Sequence, residues 1–440
     1  MTTQKTALAV LVPLILSYGL HLLLTQQLTV LGAFRKEKQT PVDNPNDLVV
    51  ISGTVNCEDL HYHAPSNSIF TACDDVAATR RAWFPPLAVL IDPVAGSTAR
   101  GSLQVIDTKT MKSRRLELVG FDGPFVTHGI DVISAPKSES GDEAVYILAV
   151  NHVPHIDYVK AKASGLDVPS GTQRADPRIE TFYHVLGTDS ASHVRTTKHP
   201  LIKTPNDIFA IDSRSFIVTN DHFYEDGLMR TVEDIIRQST WSSTIHVRIP
   251  ETADERVDAP CDATVVLSGL HNNNGLGHGP APDQILIGSA ASGAVRIGRL
   301  PKGAETSIQI TETLQFESSI DNPSYFSDPY ANATFDASGI VNAGLTRAVD
   351  LAEAVPDPEA QIAVMVWYSR PVLSDNSSSD AEGGAYETRL LFEDDGQRIS
   401  TASSAVLVAI DPKLEQGRRK AWLYVSGFQS RNAIAVKVDL

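Results

Sequence analysis

The sequence predicts an all-β protein, most simply a propeller of about six four-stranded blades. Short strand-like runs recur beyond residue 45, and turn residues separate them at short intervals. The runs are too many for one simple sandwich, and they lack the alternation of strands and helices that marks a parallel α/β sheet. Such short strands are also typical of a sandwich or a barrel, but six four-stranded blades would use the full number of runs.

The predicted strands begin near residue 48 and continue to the C-terminus. Two segments instead have a helical pattern, around 224–240 and 345–354, and polar stretches at 153–180, 323–338 and 371–385 are predicted to be loops or insertions. The strand-like runs are LVVISGTV (48–55), LQVIDT (103–108), RLELVGF (115–121), AVYILAVNH (144–152), IFAI (208–211), FIVTN (216–220), TIHVRI (244–249), ATVVLSG (263–269), QILIGSA (284–290), AVRIGRL (294–300), QIAVMVWYSR (361–370), AVLVAID (405–411), AWLYVSG (421–427) and AIAVKVD (433–439).

The N-terminus differs from the rest of the chain. Residues 6–34 contain no Asp, Glu, Lys or Arg, and 7–24 are strongly apolar, which predicts an uncleaved signal anchor over 1–36 and a propeller over 40–440. Glycosylation sequons at Asn332 and Asn376 favour a domain in the secretory pathway, either membrane-anchored and facing the lumen or exterior, or secreted. The net charge of −16 and the lack of a basic run argue against a nucleic-acid partner.

The chain has three cysteines, which in an oxidising compartment allow one disulfide and one free thiol. Cys57 and Cys73 flank a predicted strand-turn-strand, so we expect them to pair and Cys261 to remain free. No cysteine or histidine cluster has the spacing of a zinc site.

The stretch TPNDIFAIDSRSFIVTNDHFYED (204–226) contains the pair Asn-Asp twice, on both sides of a predicted β-hairpin. A turn centred between residues 213 and 214 places Asp207 opposite Asn220 and Asn206 opposite Asp221. The open end of the hairpin would then gather carboxylate and amide oxygens, which are the ligands that calcium prefers. The alternative is that Asn and Asp simply begin and end strands, as they often do.

Similar polar groups occur elsewhere, at Glu58-Asp59, at the asparagine run that ends in Asn274-Gly275, and at Asp321-Asn322. In a propeller, such residues at matching strand ends converge on the central channel, where they could bind a cation, although each one alone suits a turn. His128 and His152 follow apolar runs. Near a metal they could serve as a general base and its partner, and elsewhere as ordinary core histidines.

Other chemistries lack their motifs. The sequence has no G-x-S-x-G elbow, no P-loop and no G-x-G-x-x-G after a strand, which argues against a serine hydrolase and against nucleotide binding.

Several of these segments, in this order, resemble the serum paraoxonase/arylesterase family: CEDL (57–60), THGID (127–131), YILAVNH (146–152), PNDIFAI with TNDHFY (205–224), NNG (273–275) and IDN (320–322). The resemblance implies a six-bladed β-propeller with two calcium ions in a central tunnel, and hydrolysis of aryl esters, lactones and, in some members, phosphotriesters. It implies a catalytic calcium ion, a structural calcium ion, a histidine dyad and a group that braces the ligands. The corresponding residues are Glu58, Asn206, Asn274, Asp321 and Asn322 for the catalytic ion; Asp59, Asp207 and the carbonyl of Ile130 for the structural ion; His128 and His152 for the dyad; and Asp221 for the brace.

The implied mechanism has calcium binding the ester or lactone carbonyl while His128, assisted by His152, deprotonates a water molecule. The sequence departs from the family in two places. The closing VKVDL lacks the family's cysteine, and NAGLTRA (342–348) lacks the histidine expected after the Asp-Asn ligands. Two other functions therefore stay open: a non-hydrolytic propeller enzyme acting on a specialised metabolite, and a non-catalytic, calcium-stabilised binding propeller.

Overall fold

The strands of the protein form six sheets arranged as the blades of a β-propeller, as the sequence predicts. The structure is a computed structural model, and it describes residues 25–137, 141–168, 172–251, 260–302, 306–372 and 386–440. Five of the six sheets have four strands and one has five. An additional two-stranded sheet lies in the segment between the second and third strands of the first blade.

The strands and helices have the following bounds. The strands are β1 (Leu48–Ile51), β2 (Cys57–His63), β3 (Ser68–Cys73), β4 (Trp83–Phe84), β5 (Val89–Leu90), β6 (Ser102–Asp107), β7 (Lys112–Arg115), β8 (Glu117–Val119), β9 (Thr127–Ser134), β10 (Ala144–Asn151), β11 (Arg178–Val185), β12 (Ser190–Thr197), β13 (Pro205–Asp212), β14 (Ser215–Asn220), β15 (Ser242–Arg248), β16 (Asp262–Leu270), β17 (Asn273–His278), β18 (Gln284–Ser289), β19 (Ala294–Arg299), β20 (Gln309–Gln315), β21 (Pro323–Phe326), β22 (Gly339–Leu345), β23 (Val364–Pro371), β24 (Tyr386–Asp394), β25 (Ala402–Ala409), β26 (Lys420–Gly427) and β27 (Ala433–Asp439). The α-helices are α1 (Ala77–Ala82), α2 (Pro93–Ser97), α3 (Ile156–Ala163), α4 (Leu228–Ile235) and α5 (Leu351–Ala354), and 3-10 turns occupy Pro45–Asp47, Ala64–Ser66, Pro85–Leu87, Ala348–Asp350 and Pro412–Glu415.

The first strand of each blade lines the central tunnel. These innermost strands contact one another in a closed ring, in the order β2, β9, β13, β17, β21, β25 and back to β2. The ring is closed by β1, which pairs with β27 and so joins the two ends of the propeller in one blade. We call the end of the tunnel where these strands begin the upper end, and the end where they finish the lower end.

Apolar clusters fill the spaces between blades. The largest joins the last two blades and includes Val366, Phe392, Leu423 and Val425, all fully buried. Because both faces of each blade are covered by neighbouring blades, the middle strands are apolar almost throughout, as in β10 and β26. This packing makes a rigid frame around the tunnel.

The N-terminal prediction falls mostly outside the described residues, which begin at 25. Residues 25–30 are helical, and within the described ranges no helix is long and apolar enough to cross a membrane. The anchor over 1–36 therefore stays a prediction. The exposed side chain of Asn332 is compatible with the first sequon, whereas Asn376 lies outside the described residues.

The disulfide prediction is confirmed. Cys57 and Cys73 sit opposite each other on the paired strands β2 and β3 and are bonded. Cys261 is free.

Three local predictions were wrong. The stretch 153–180 contains helix α3 and the start of β11, and 323–338 begins with β21, although both were predicted to be loops. The hairpin register also differs, because irregularities at both ends of the β13–β14 pair shift its residues. Asn220 therefore pairs with Pro205 instead of Asp207.

Candidate active site

The upper end of the tunnel gathers the polar residues singled out from the sequence. Glu58 lies near the start of β2, His128 near the start of β9, Asn206 near the start of β13 and Asn274 near the start of β17. Asp321 and Asn322 immediately precede β21. Five of the six blades thus contribute a side chain to this end.

The acidic and amide side chains of this group each leave one oxygen unsatisfied. The atoms Glu58 Oε2, Asn206 Oδ1, Asn274 Oδ1, Asp321 Oδ1 and Asn322 Oδ1 are buried and have no hydrogen-bond partner. An unpaired buried acceptor is costly, and native structures rarely keep several together without a ligand. These five oxygens have the hard, oxygen-only chemistry that Ca²⁺ requires, so the residues present fit a calcium ion.

Two contacts hold these ligands in position. Asn322 donates from Nδ2 to Glu58 Oε1 at 2.8 Å, and Glu58 Oε2 and Asn322 Oδ1 remain unpaired. Asn206 donates from Nδ2 to Asp221 Oδ2 at 3.4 Å. The amides therefore use their N–H groups on neighbouring carboxylates and keep their oxygens available.

Two glycines, which the sequence analysis did not single out, leave room for ligand side chains from adjacent blades. A Cβ atom at Gly275 would overlap the side-chain oxygen and the Cα of Asn322, and one at Gly129 would overlap Asp207. The glycines in NNG and in THGID therefore keep space for the ligands of the adjacent blades.

A second pair of carboxylates lies one step further down the tunnel. Asp59 accepts the N–H groups of Leu60 at 2.8 Å and of Ile130 at 3.2 Å. Asp207 accepts those of Ile208 at 2.8 Å and Leu276 at 2.6 Å. Each carboxylate is thereby fixed between two strands, and its remaining lone pairs are free to bind a cation.

The carboxylates at the upper end and the pair below them repel one another when no cation is bound. Burial, Asp321 and Asp59 raise the pKa of Glu58 well above its usual range. Burial and the neighbouring Asp59 and Glu58 likewise raise the pKa of Asp207, and burial and Asp59 raise the pKa of Asp321. Since a divalent cation would relieve this repulsion, the charge distribution also fits calcium.

The two histidines form a hydrogen-bonded dyad beside the outer ligands. His152 Nε2 and His128 Nδ1 are 3.1 Å apart, and His128 Nε2 is 3.9 Å from Glu58 Oε1. Burial lowers the pKa of His128 to about 3, and burial and His128 lower the pKa of His152 well below its usual range. Both rings are therefore neutral at pH 7. One ring donates its N–H to the other across their hydrogen bond, so the pair retains a ring nitrogen that can accept a proton.

Asp221 braces the site from the end of β14. Its Oδ1 lies 2.9 Å from His222 Nδ1, whose ring is held on the other side by Asp234 at 2.7 Å. Although burial opposes it, the charge and hydrogen bond of His222 hold the pKa of Asp221 well below its usual range. Asp221 therefore stays ionised and orients the amide of Asn206.

A segment between β3 and β6 supports the dyad, and the sequence analysis missed it. Trp83 Nε1 donates to the carbonyl of His152 at 2.8 Å, and the ring of Phe84 stands edge-on to His128, 5.2 Å between centres. The fully buried Arg80 donates to the carbonyls of Thr127 and Asn56, both at 3.1 Å. It thereby ties together the chain just before His128 and the chain just before Glu58. The signal was the aromatic pair Trp-Phe followed by two prolines.

Among the residues that the structure describes, no group of three or more His, Cys, Asp and Glu side chains is arranged to hold a metal ion. The upper-end ligand set is instead mixed, with amides in the majority. The fold and the site together define a six-bladed propeller whose tunnel gathers unpaired amide and carboxylate oxygens beside two histidines.

Comparison with known proteins finds similarity to arylesterases. The arylesterase family model matches residues 170–332. Serum paraoxonase/arylesterase 2 of Gallus gallus is 26% identical over 226 residues, which cover 50% of this chain and 53% of that protein. The Homo sapiens protein of the same name is 24% identical over the same shares. Serum paraoxonase/arylesterase 1 of Mus musculus is 25% identical over 297 residues, covering 67% of this chain and 69% of that one.

The chain is thus similar to members of the serum paraoxonase/arylesterase family, and it spans about half the length of the first two relatives. Among solved structures, a luciferin-regenerating enzyme is similar with a TM-score of 0.41 and 11% identity, over 89% of this chain and 95% of that chain. That likeness is too distant to bear on activity.

Proposed function

We propose that the protein is a calcium-dependent hydrolase of aryl esters, lactones or both. The observation that carries the proposal is the set of five unpaired oxygens next to a neutral histidine pair. The similarity to arylesterases supports the same reaction class. No serine nucleophile motif is present, so the attacking group is assigned to water.

The upper-end oxygens of Glu58, Asn206, Asn274, Asp321 and Asn322 would hold the catalytic calcium ion. A bound calcium ion would supply Lewis-acid chemistry at the substrate carbonyl, whose oxygen it would polarise. Asp59, Asp207 and the carbonyl of Ile130 would hold a second, structural ion. Because their strands belong to three blades, that ion would fasten the tunnel wall.

The histidines supply the proton chemistry. A neutral His128 can take a proton from an attacking water, and the hydrogen bond to His152 lets the charge spread over both rings. Trp83 fixes the backbone of His152, and Phe84 fixes the plane of His128. The dyad is thus preorganised, since its rings need not reorient when the proton moves.

We propose that the apolar segment over 1–36 attaches the propeller to a membrane of the secretory pathway, with 40–440 facing the lumen or the exterior. The disulfide between Cys57 and Cys73 supports an oxidising compartment.

The test uses the chain expressed through a secretory route. Turnover of phenyl acetate and of γ- and δ-lactones is measured with calcium, after EDTA, and after calcium is restored. We expect turnover that needs calcium and falls at least 100-fold in His128→Gln. If no substrate turns over but calcium still raises the melting temperature, the protein is a calcium-stabilised binding propeller instead.

A further inference from the structure

The strand segment that carries His128 is irregular. The pairing of β9 with β10 leaves two residues of β9, His128 and Gly129, opposite the single residue Val150 of β10. Such a β-bulge breaks the regular alternation of side chains and re-aims them, and bulges are frequent beside active sites. The direction of the His128 ring therefore depends on what fixes this segment of backbone.

The buried side chain of Asn151, at the end of β10, fastens that segment. Its Oδ1 accepts the N–H of Val126 at 2.9 Å, and its Nδ2 donates to the carbonyl of Pro124 at 2.9 Å. The carbonyl of Val126 in turn accepts the N–H of His152 at 3.0 Å. One amide thus ties the chain that leads into His128 to the strand end that carries His152, and so sets the two rings of the dyad relative to each other.

The orientation of the Asn151 amide is fixed by Glu180 on β11. Glu180 Oε1 accepts from Asn151 Nδ2 at 3.1 Å. Because an ionised carboxylate only accepts hydrogen bonds, Asn151 must turn its NH₂ group and not its oxygen towards Glu180. The amide is thereby held in the orientation in which its oxygen reaches the N–H of Val126.

Two further donors hold Glu180 itself. Its Oε2 accepts from Thr196 Oγ1 at 2.6 Å and lies 2.9 Å from His193 Nε2. The His193 side chain is only 7% exposed, and its ring packs against Phe121 and Phe182, at 5.0 and 5.2 Å between ring centres. Both oxygens of the buried carboxylate therefore have donors, as a buried charge requires.

We propose that Asn151 is a positioning residue for the histidine dyad, and that Glu180 and His193 hold it in its working orientation. These side chains bond to backbone groups and to one another, so they act through the chain that leads into His128. The effect on turnover rests on the proposed hydrolase function, whereas the hydrogen bond between the two rings can be observed without turnover. A slightly misdirected general base slows the chemical step more than it weakens substrate binding.

The variants are Glu180→Ala, Glu180→Gln and His193→Phe, made in the full chain and measured with saturating calcium. In Glu180→Gln the amide oxygen still accepts from Asn151, and the NH₂ group faces His193, whose other tautomer presents a bare nitrogen. His184→Phe is the matched control. His184 is a buried histidine of the same blade, but its Nδ1 is bonded to the carbonyl of Ser190, at 2.8 Å.

Two quantities are measured on each variant whose melting temperature shows that it is folded. The first is kcat and KM for phenyl acetate. The second is the NMR signal of the proton in the hydrogen bond between His128 and His152, recorded on protein with isotope-labelled histidine. The signal is identified by its loss in His128→Gln.

We expect Glu180→Ala to lower kcat roughly 10–100-fold with KM changed less than about 2-fold, and to shift or broaden the dyad signal. His193→Phe should change both quantities in the same direction and by less. Glu180→Gln should restore kcat to within about 3-fold of the wild type, and His184→Phe should match the wild type in both quantities.

A wild-type signal and kcat in folded Glu180→Ala would overturn the proposal, and His193→Phe decides in the same way if Glu180→Ala does not fold. An equal loss of kcat in His184→Phe would also overturn it, since the effect would then be a general one of the blade. If the wild type hydrolyses no ester or lactone, the hydrolase proposal fails, and the dyad signal alone decides whether Glu180 positions the rings.

Discussion

Replacing Arg80 with Met tests whether this buried side chain supports the segments that carry His128 and Glu58. The Arg80 side chain is fully buried, with Nε 3.5 Å from Asp74 Oδ2 and the guanidinium 4.0 Å above the ring of Phe84. Burial raises the pKa of Asp74 to about 6, so Asp74 is ionised at pH 7.5 and depends on Arg80 for its counter-charge. The substitution leaves this carboxylate unpaired and the carbonyls of Thr127 and Asn56 without their donor.

Breaking a buried ion pair from one side costs about 3–5 kcal/mol, so we expect Arg80→Met to lower the free energy of unfolding by about 4 kcal/mol. The double variant Arg80→Met/Asp74→Asn removes the orphaned charge as well and should recover about 2 kcal/mol of that loss. The remaining loss of stability then comes from the carbonyls of Thr127 and Asn56, which still lack their donor.

The assay is urea unfolding at pH 7.5 with saturating calcium, on the wild type, both single variants and the double variant. Because Arg80 fixes the chain just before His128, turnover of the folded Arg80→Met protein should also fall. A loss below 1 kcal/mol in Arg80→Met, or a double variant that is no more stable than the single one, would refute the reasoning.

Three further changes have expected results. Burial lowers the pKa of His63 to about 4, so the folded protein resists protonation there and its stability rises with pH between about 4 and 6.5. In His63→Asn, the loss of stability on going from pH 6.5 to pH 4 should be smaller by roughly 1–3 kcal/mol, measured by urea unfolding across this pH range. Gly275→Ala places a methyl group against the side-chain amide of Asn322 and should weaken calcium binding at least 10-fold by calorimetry. The control Gly123→Ala meets only the ring of Phe121, at 3.7 Å, and should leave calcium binding unchanged. Trp83→Phe removes the hydrogen bond to the carbonyl of His152 and should cost about 1–2 kcal/mol and lower kcat with little change in KM; unchanged kcat would contradict a positioning role.

The sequence predicts most of the apolar middle strands but misses several innermost strands, such as β17 and β21, and several outermost strands, such as β20 and β24. AVYILAVNH and AWLYVSG are apolar because neighbouring blades cover both of their faces. By contrast, β17 (NNGLGH) was not recognised as a strand, since its polar residues and glycines interrupt the apolar pattern. Composition and periodicity therefore hide part of the inner wall that carries the site.

The residues of the candidate site were named from the Asn-Asp pairs and the family resemblance, whereas their arrangement across the blades is seen only in the structure. The Asn-Asp pairs at 206–207 and 220–221 gave a local signal, but the irregular pairing of β13 with β14 could not be read from a symmetric turn. The contact of Asn151 with Glu180 has no local signal at all, because strand pairing brings together residues 29 positions apart along the chain.

The most direct test of the account is a calcium titration of the EDTA-treated protein by calorimetry, comparing the wild type with Asn206→Ala. Asn46→Ala, on the exposed N-terminal segment, is the control. The account predicts two calcium ions in the wild type and in the control, and loss or at least 10-fold weakening of one of them in Asn206→Ala, together with loss of calcium-dependent esterase turnover. Calcium affinity and turnover that survive unchanged in Asn206→Ala would contradict the assignment of the upper end of the tunnel as the catalytic centre.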